Sequence, residues 1–169
     1  ARKGATDNVA VINTDTDSVS TTVTVGDLPG FASVVGSKIY VTNRSGDSVS
    51  VINTETNTVS ATITIGDNPL YSTVAGTKLF VNNINSGTVS VINTVTDAVV
   101  ATITVGTTPY HSVTANGKVY VCNQDSGTVS VINPSTNAVS STITVGSSPS
   151  YMTVSDDRIY VSNFLGDTT

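Results

Sequence analysis

The sequence predicts an all-β chain, a β-propeller of four blades with four antiparallel strands each. Three observations carry that expectation. The first is a repeat of 40 residues. Val11-Ile12-Asn13-Thr14 returns as Val51-Ile52-Asn53-Thr54, Val91-Ile92-Asn93-Thr94 and Val131-Ile132-Asn133-Pro134. Gly26, Gly66, Gly106 and Gly146 keep the same step, as do Pro29, Pro69, Pro109 and Pro149. A period of about 40 residues built from short strands marks a propeller blade. The second is an apolar pattern of period two, in a chain rich in β-branched residues and lacking a 3.6-residue period. The third is the phase of the two ends, which fall at complementary points of one repeat.

Residues 71–105 show the elements in order. Tyr71-Ser72-Thr73-Val74 reads as a short first strand, turned at Ala75-Gly76. Lys78-Leu79-Phe80-Val81-Asn82 is a second strand, apolar on both faces, as a strand between neighbouring blades must be. Asn85-Ser86-Gly87 is turn chemistry. Thr88 to Asn93 alternates as a third strand, Thr94 to Asp97 turns again, and Val99 to Val105 alternates as a fourth. The same reading gives intact blades at about 31–65, 71–105 and 111–145. Residues 8–14 and 19–25 supply only a third and fourth strand, and 151–155 and 158–163 only a first and second. Joined, 8–25 plus 151–163 make a split blade that closes the ring without an unpaired edge. The whole chain, 1–169, is then a single domain. The short first strands carry small residues (Ala32, Ser33, Ser72, Thr73, Ser112, Thr153), which suits a narrow axis and favours closure within one chain. Two chains forming an eight-bladed ring, or a strand-exchanged polymer, satisfy the same count.

Composition narrows the function classes. Charged residues are only 11% of the 169, against about 25% in an ordinary soluble domain, and Ser, Thr and Asn make up the difference. No apolar run approaches the roughly 20 residues that span a bilayer. The net charge of −5 disfavours nucleic acid, which requires clustered Lys and Arg. Arg2 and Lys3, the one adjacent basic pair, read as a solvated tail. Cys122 is the sole cysteine, so neither an internal disulfide nor a thiolate metal cluster is expected. The start at Ala1, without methionine or an apolar leader, fits a processed chain or a piece of a longer one.

The second strands read Tyr40-Val41-Thr42-Asn43, Phe80-Val81-Asn82-Asn83, Tyr120-Val121-Cys122-Asn123 and Tyr160-Val161-Ser162-Asn163. With the Ser/Gly turn, the Val-Ser-Val-Ile-Asn-Thr strand and the Ala-Thr-Ile-x-Val-Gly strand, this pattern resembles the YVTN β-propeller repeat family over essentially the whole chain. The resemblance implies a propeller of the kind found in archaeal surface-layer and secreted bacterial proteins. It implies no catalytic residues. Members usually carry more blades and a longer turn between first and second strands than Gly36-Ser37 or Gly76-Thr77.

Candidate sites are few. His111 is the only histidine, so acid–base chemistry of the Ser-His-Asp kind has one place to be. It shares a repeat phase with Phe31, Tyr71 and Tyr151, and Tyr110 stands beside it. These side chains are expected to gather near one end of the axis, either as packing between blades or as a stacking site for a sugar or an apolar group. Asp15, Asp17, Asp125, Asp156 and Asp157 fall in or near turns. Calcium wants six to eight oxygens, and no ligand set repeats, so turn hydrogen bonding is the simpler role. No cofactor or metal site is expected. Asn43-Arg44-Ser45 is an isolated glycosylation sequon placed in a turn.

The fourth strands, Val19 to Val25, Val59 to Ile65, Val99 to Val105 and Val139 to Val145, hold no charge, proline or glycine. Such bare edges invite pairing with another chain. The expectation is therefore a non-enzymatic, extracellular or cell-surface structural protein, a self-associating homo-oligomer or homopolymer of a surface layer, sheath or fibre. The alternative is a secreted recognition module that binds a glycan or protein on one propeller face.

Overall fold

Each repeat lays down the strands its alternation predicts. The computed structural model describes residues 7–165, so Arg2 and Lys3 lie outside the described residues. Three four-stranded antiparallel sheets run in simple chain order. They are β3 (Pro29–Val35), β4 (Lys38–Asn43), β5 (Ser48–Asn53) and β6 (Thr58–Thr64); then β7 (Pro69–Ala75), β8 (Lys78–Asn83), β9 (Thr88–Asn93) and β10 (Ala98–Thr104); then β11 (Pro109–Ala115), β12 (Lys118–Asn123), β13 (Thr128–Asn133) and β14 (Ala138–Thr144). Before them stands a hairpin of β1 (Asn8–Asn13) and β2 (Ser18–Thr24), and after them one of β15 (Pro149–Ser155) and β16 (Arg158–Asn163).

The sheets stack face to face in this order, and four apolar layers lie between them. The first hairpin packs on the first full sheet through Val9, Val11 and Val23 against Val41 and Ile52. Tyr40, Val49, Val51 and Ile63 meet Leu79, Val81 and Ile92 in the next layer. Phe80, Val89, Val91 and Ile103 meet Val119, Val121 and Ile132 in the third. Cys122 and Val129 meet Met152, Ile159 and Val161 in the last. The second and third strands of the three full sheets are apolar on both faces because each of those sheets has a neighbour on both sides.

The ring expected to close within one chain does not. The strands of 8–25 and 151–163 remain two separate hairpins, and β1 does not pair with β16. The cause is the angle between sheets. Small residues do bring the inner strands together, with Ser33 Oγ 2.8 Å from Ser72 Oγ. Outer strands of neighbouring sheets touch only sparsely, β2 on β6 and β10 on β14, so the sheets fan outward from their inner strands, and the fan ends before the two hairpins meet.

Two repeated residues explain themselves here. Asn13, Asn53 and Asn93 cap the turns that follow them, each Oδ1 accepting two backbone N–H groups, as with Glu55 N at 2.8 Å and Thr56 N at 3.1 Å. A Cβ on Gly66 would lie 2.6 Å from Asn83 Nδ2, so only glycine fits beside that buried amide. The outer edges are less bare than the sequence suggests. The register between third and fourth strands shifts in every repeat, placing a bulge at Ser20, Ser60, Val100 and Ser140. A bulge twists an edge away from pairing.

Candidate functional site

The four residues of common phase sit on the inner strands, Phe31 on β3, Tyr71 on β7, His111 on β11 and Tyr151 on β15. They gather around Tyr71, whose ring lies 5.1 Å from Phe31, 5.2 Å from His111 and 5.8 Å from Tyr151 between centroids. Tyr110 joins them at 5.5 Å. Tilted and edge-on pairs at these distances are favourable aromatic contacts. The Tyr71 and Tyr151 hydroxyls lie 2.6 Å apart. That bond is the first cause that raises the Tyr151 pKa above its ordinary value. Burial raises Tyr110.

His111 is held as a neutral ring. Burial lowers its pKa, and Nδ1 accepts the Met152 N–H at 3.3 Å, which leaves the proton on Nε2. A nitrogen so engaged is not poised as a base. Cys122 is buried, and burial pushes its thiol from 9.0 up to about 11, so no reactive thiolate forms. Its Sγ accepts the His111 N–H at 3.2 Å and lies 3.5 Å from Ser150 O. Thr42 and Asn82 bridge neighbouring inner strands from the same phase, to Leu70 O at 2.9 Å and Tyr110 O at 3.3 Å. Position 122 is thus a strap between sheets.

Other candidates fall away or change role. Among the described residues no group of three His, Cys, Asp or Glu is placed to hold a metal. Asp17 and Asp156 occupy left-handed turn positions, at φ 48° and 53°. Asn43 lies at the end of β4, fully buried, not in a turn. Its Nδ2 donates to Ser48 Oγ at 3.1 Å and Ser50 Oγ at 3.0 Å, so the acceptor asparagine of the sequon is shut inside the folded chain.

A second set of residues escaped the sequence reading. Lys38 Nζ reaches into the next sheet, to Asp97 Oδ2 at 2.7 Å and Thr94 O at 3.2 Å. The single Tyr40 O–H lies within hydrogen-bond reach of the same aspartate and the same carbonyl. Burial, reinforced by Asp97, raises the Tyr40 pKa far above the phenol range. Lys78 repeats the reach, to Asn137 Oδ1 at 2.9 Å and Pro134 O at 2.6 Å. The signal was present: Lys38, Lys78, Lys118 and Arg158 keep the 40-residue step, and so do Asp17, Asn57, Asp97 and Asn137.

No family model and no curated protein matches the chain. Solved structures do. BamB from Moraxella catarrhalis superposes with a TM-score of 0.76 at 18% identity, over 94% of this chain and 49% of that one. The WD40 β-propeller domain of Doa1 gives 0.75 at 17%, over 92% and 54%. Hydrazine synthase of Kuenenia stuttgartiensis gives 0.63 at 25%, over 68% and 34%. The chain has the β-propeller fold and spans about half, or less, of the chains it matches. A fold shared by an enzyme and a WD40 domain decides no activity.

Proposed function

We propose that the chain is a non-enzymatic, extracellular structural protein of the YVTN-repeat type, a self-associating subunit of a surface layer, sheath or fibre. The observation that carries this reading is a stack of near-identical antiparallel sheets whose outer strands β2, β6, β10 and β14 hold no charge, proline or glycine. A low charge content and a surface of Ser and Thr hydroxyls support it. The engaged histidine and inert thiol supply no catalytic set. Light scattering and electron microscopy of native material test it: ordered assemblies are expected, and a strictly monomeric species at high concentration overturns it.

A second reading, a recognition module for a glycan, draws on Tyr151, which stays 48% exposed beside Tyr71 and His111. A glycan array with the wild type and a His111→Ala, Tyr151→Ala variant decides it. A ligand lost by the variant while folding is kept would favour recognition.

A further inference from the structure

We propose that Tyr71 and Tyr151 form an oxidative cross-linking site, at which coupling of an ortho carbon of each ring ties β7 to β15 as dityrosine. This rests on the extracellular reading above for its oxidant, and on the geometry of the chain for its place.

In a linked pair of this kind the two hydroxyls flank the new carbon–carbon bond, hydrogen-bonded to each other, and the rings are twisted out of one plane. The folded chain holds nearly that arrangement before any bond forms. The two hydroxyl oxygens lie 2.6 Å apart and open to solvent. The rings meet at 76° with centroids 5.8 Å apart, so they need only draw closer for an ortho carbon of each to touch. The His111 ring lies 5.2 Å from both and braces the pair. Tyr110 stands at similar distances, 5.5 Å from Tyr71 and 5.7 Å from Tyr151. The close hydroxyl contact that sets ortho carbons side by side nevertheless belongs to Tyr71 and Tyr151.

The repeat places this pair alone. Phe31, Tyr71, His111 and Tyr151 share one phase, and only the second and fourth carry a phenol. The link therefore passes over the third full sheet and spans 80 residues. All that it needs lies within residues 71–151. Tyr40, by contrast, is sealed between sheets with its O–H against Asp97. The chemistry balances with one oxidant, hydrogen peroxide acting through a haem peroxidase. Peroxide takes one electron and one proton from each phenol and leaves as two waters. The two phenoxyl radicals join at their ortho carbons, and each ortho hydrogen then moves to the oxygen of its own ring. Both hydroxyls are restored, and the chain is lighter by two hydrogen atoms.

Hydrogen peroxide and a haem peroxidase, added to the purified chain, test the site. The expected product is a single chain lighter by two hydrogen atoms, in which digestion and mass spectrometry find the peptides of Tyr71 and Tyr151 joined. Its Tm should rise by about 10 °C, because the link constrains a long loop of the unfolded chain. Tyr71→Phe and Tyr151→Phe each keep the ring; both should fold normally, lose the link and lose that rise. Tyr110→Phe and Tyr160→Phe should keep both. A link through Tyr110 or Tyr160, or links between chains only, would overturn the site. Native material in which the Tyr71 and Tyr151 peptides are never joined would also overturn it, with self-association left standing. A linked chain that stays strictly monomeric would support the site and remove the self-associating reading.

Discussion

Phe80 and Tyr160 hold the same position in the repeat, two blades apart, and their surroundings differ completely. Phe80 on β8 is sealed between two sheets, and Tyr160 on β16 is more than half open. The asparagines beside them differ likewise. Asn83 Nδ2 donates to Thr88 and Ser90 across the sheet at 3.0 and 2.9 Å, while Asn163 Nδ2 finds Val145 O at 3.4 Å. Local sequence therefore sets the strand, and only the neighbouring strand and sheet make it a core. In the three intact sheets the second and third strands are buried between neighbours, although β14 at the outside of the last stays exposed. The terminal hairpins carry the same residue types with a neighbouring sheet on one side only.

The comparison is broken most sharply at those two aromatics. Phe80→Ala empties a buried site and should cost about 3–5 kcal/mol of stability, read by denaturant unfolding. Tyr160→Ala should change the stability of the single chain by less than about 0.5 kcal/mol and instead weaken association. Equal losses would mean that the two regions do not differ. Next comes Gly66→Ala, whose new methyl must displace the Asn83 amide from its two bonds, at an expected cost of about 1–3 kcal/mol. Asp97→Asn weakens the partly buried lock to Lys38 and should cost about 1 kcal/mol, whereas Asp17→Asn should leave the thermal midpoint of the single chain unmoved.

The smallest effects are pH limbs at the inner strands. The His111 pKa is lowered, so its contribution is present above the ordinary value of 6.5 and is lost as pH falls below it. His111→Gln should flatten stability below pH 6.5. The Cys122 pKa is raised to about 11, so its contribution is full below 9.0 and fades as pH rises from there. Cys122→Ser should flatten the start of that alkaline limb, leaving the share of Tyr40 above about pH 10. Unfolding curves across pH check both, and unchanged limbs would count against burial as their cause.

The strands were legible because alternation and turn residues are local. Asn53 and Gly66 were visible as repeats, but their work was not, since the cap and the close approach to Asn83 depend on three-dimensional contact. The phase of Phe31, Tyr71, His111 and Tyr151 foretold their gathering, and Tyr71 proved its centre. Closure was not legible. It depends on the angle between sheets, which the bulk of Tyr40, Ile63 and Leu79 sets collectively and no periodicity encodes. The bulges at Ser20, Ser60 and Ser140 were hidden too, because a serine in an alternating run looks like any solvent-facing position.

Hydrogen exchange tests the central claim most directly. The amides of β8 and β12, each paired on both sides and sealed between two sheets, should exchange slowest, and those of β1 and β16 fastest. Equal protection of all four strands would contradict the claim that the neighbouring strand and sheet make the core.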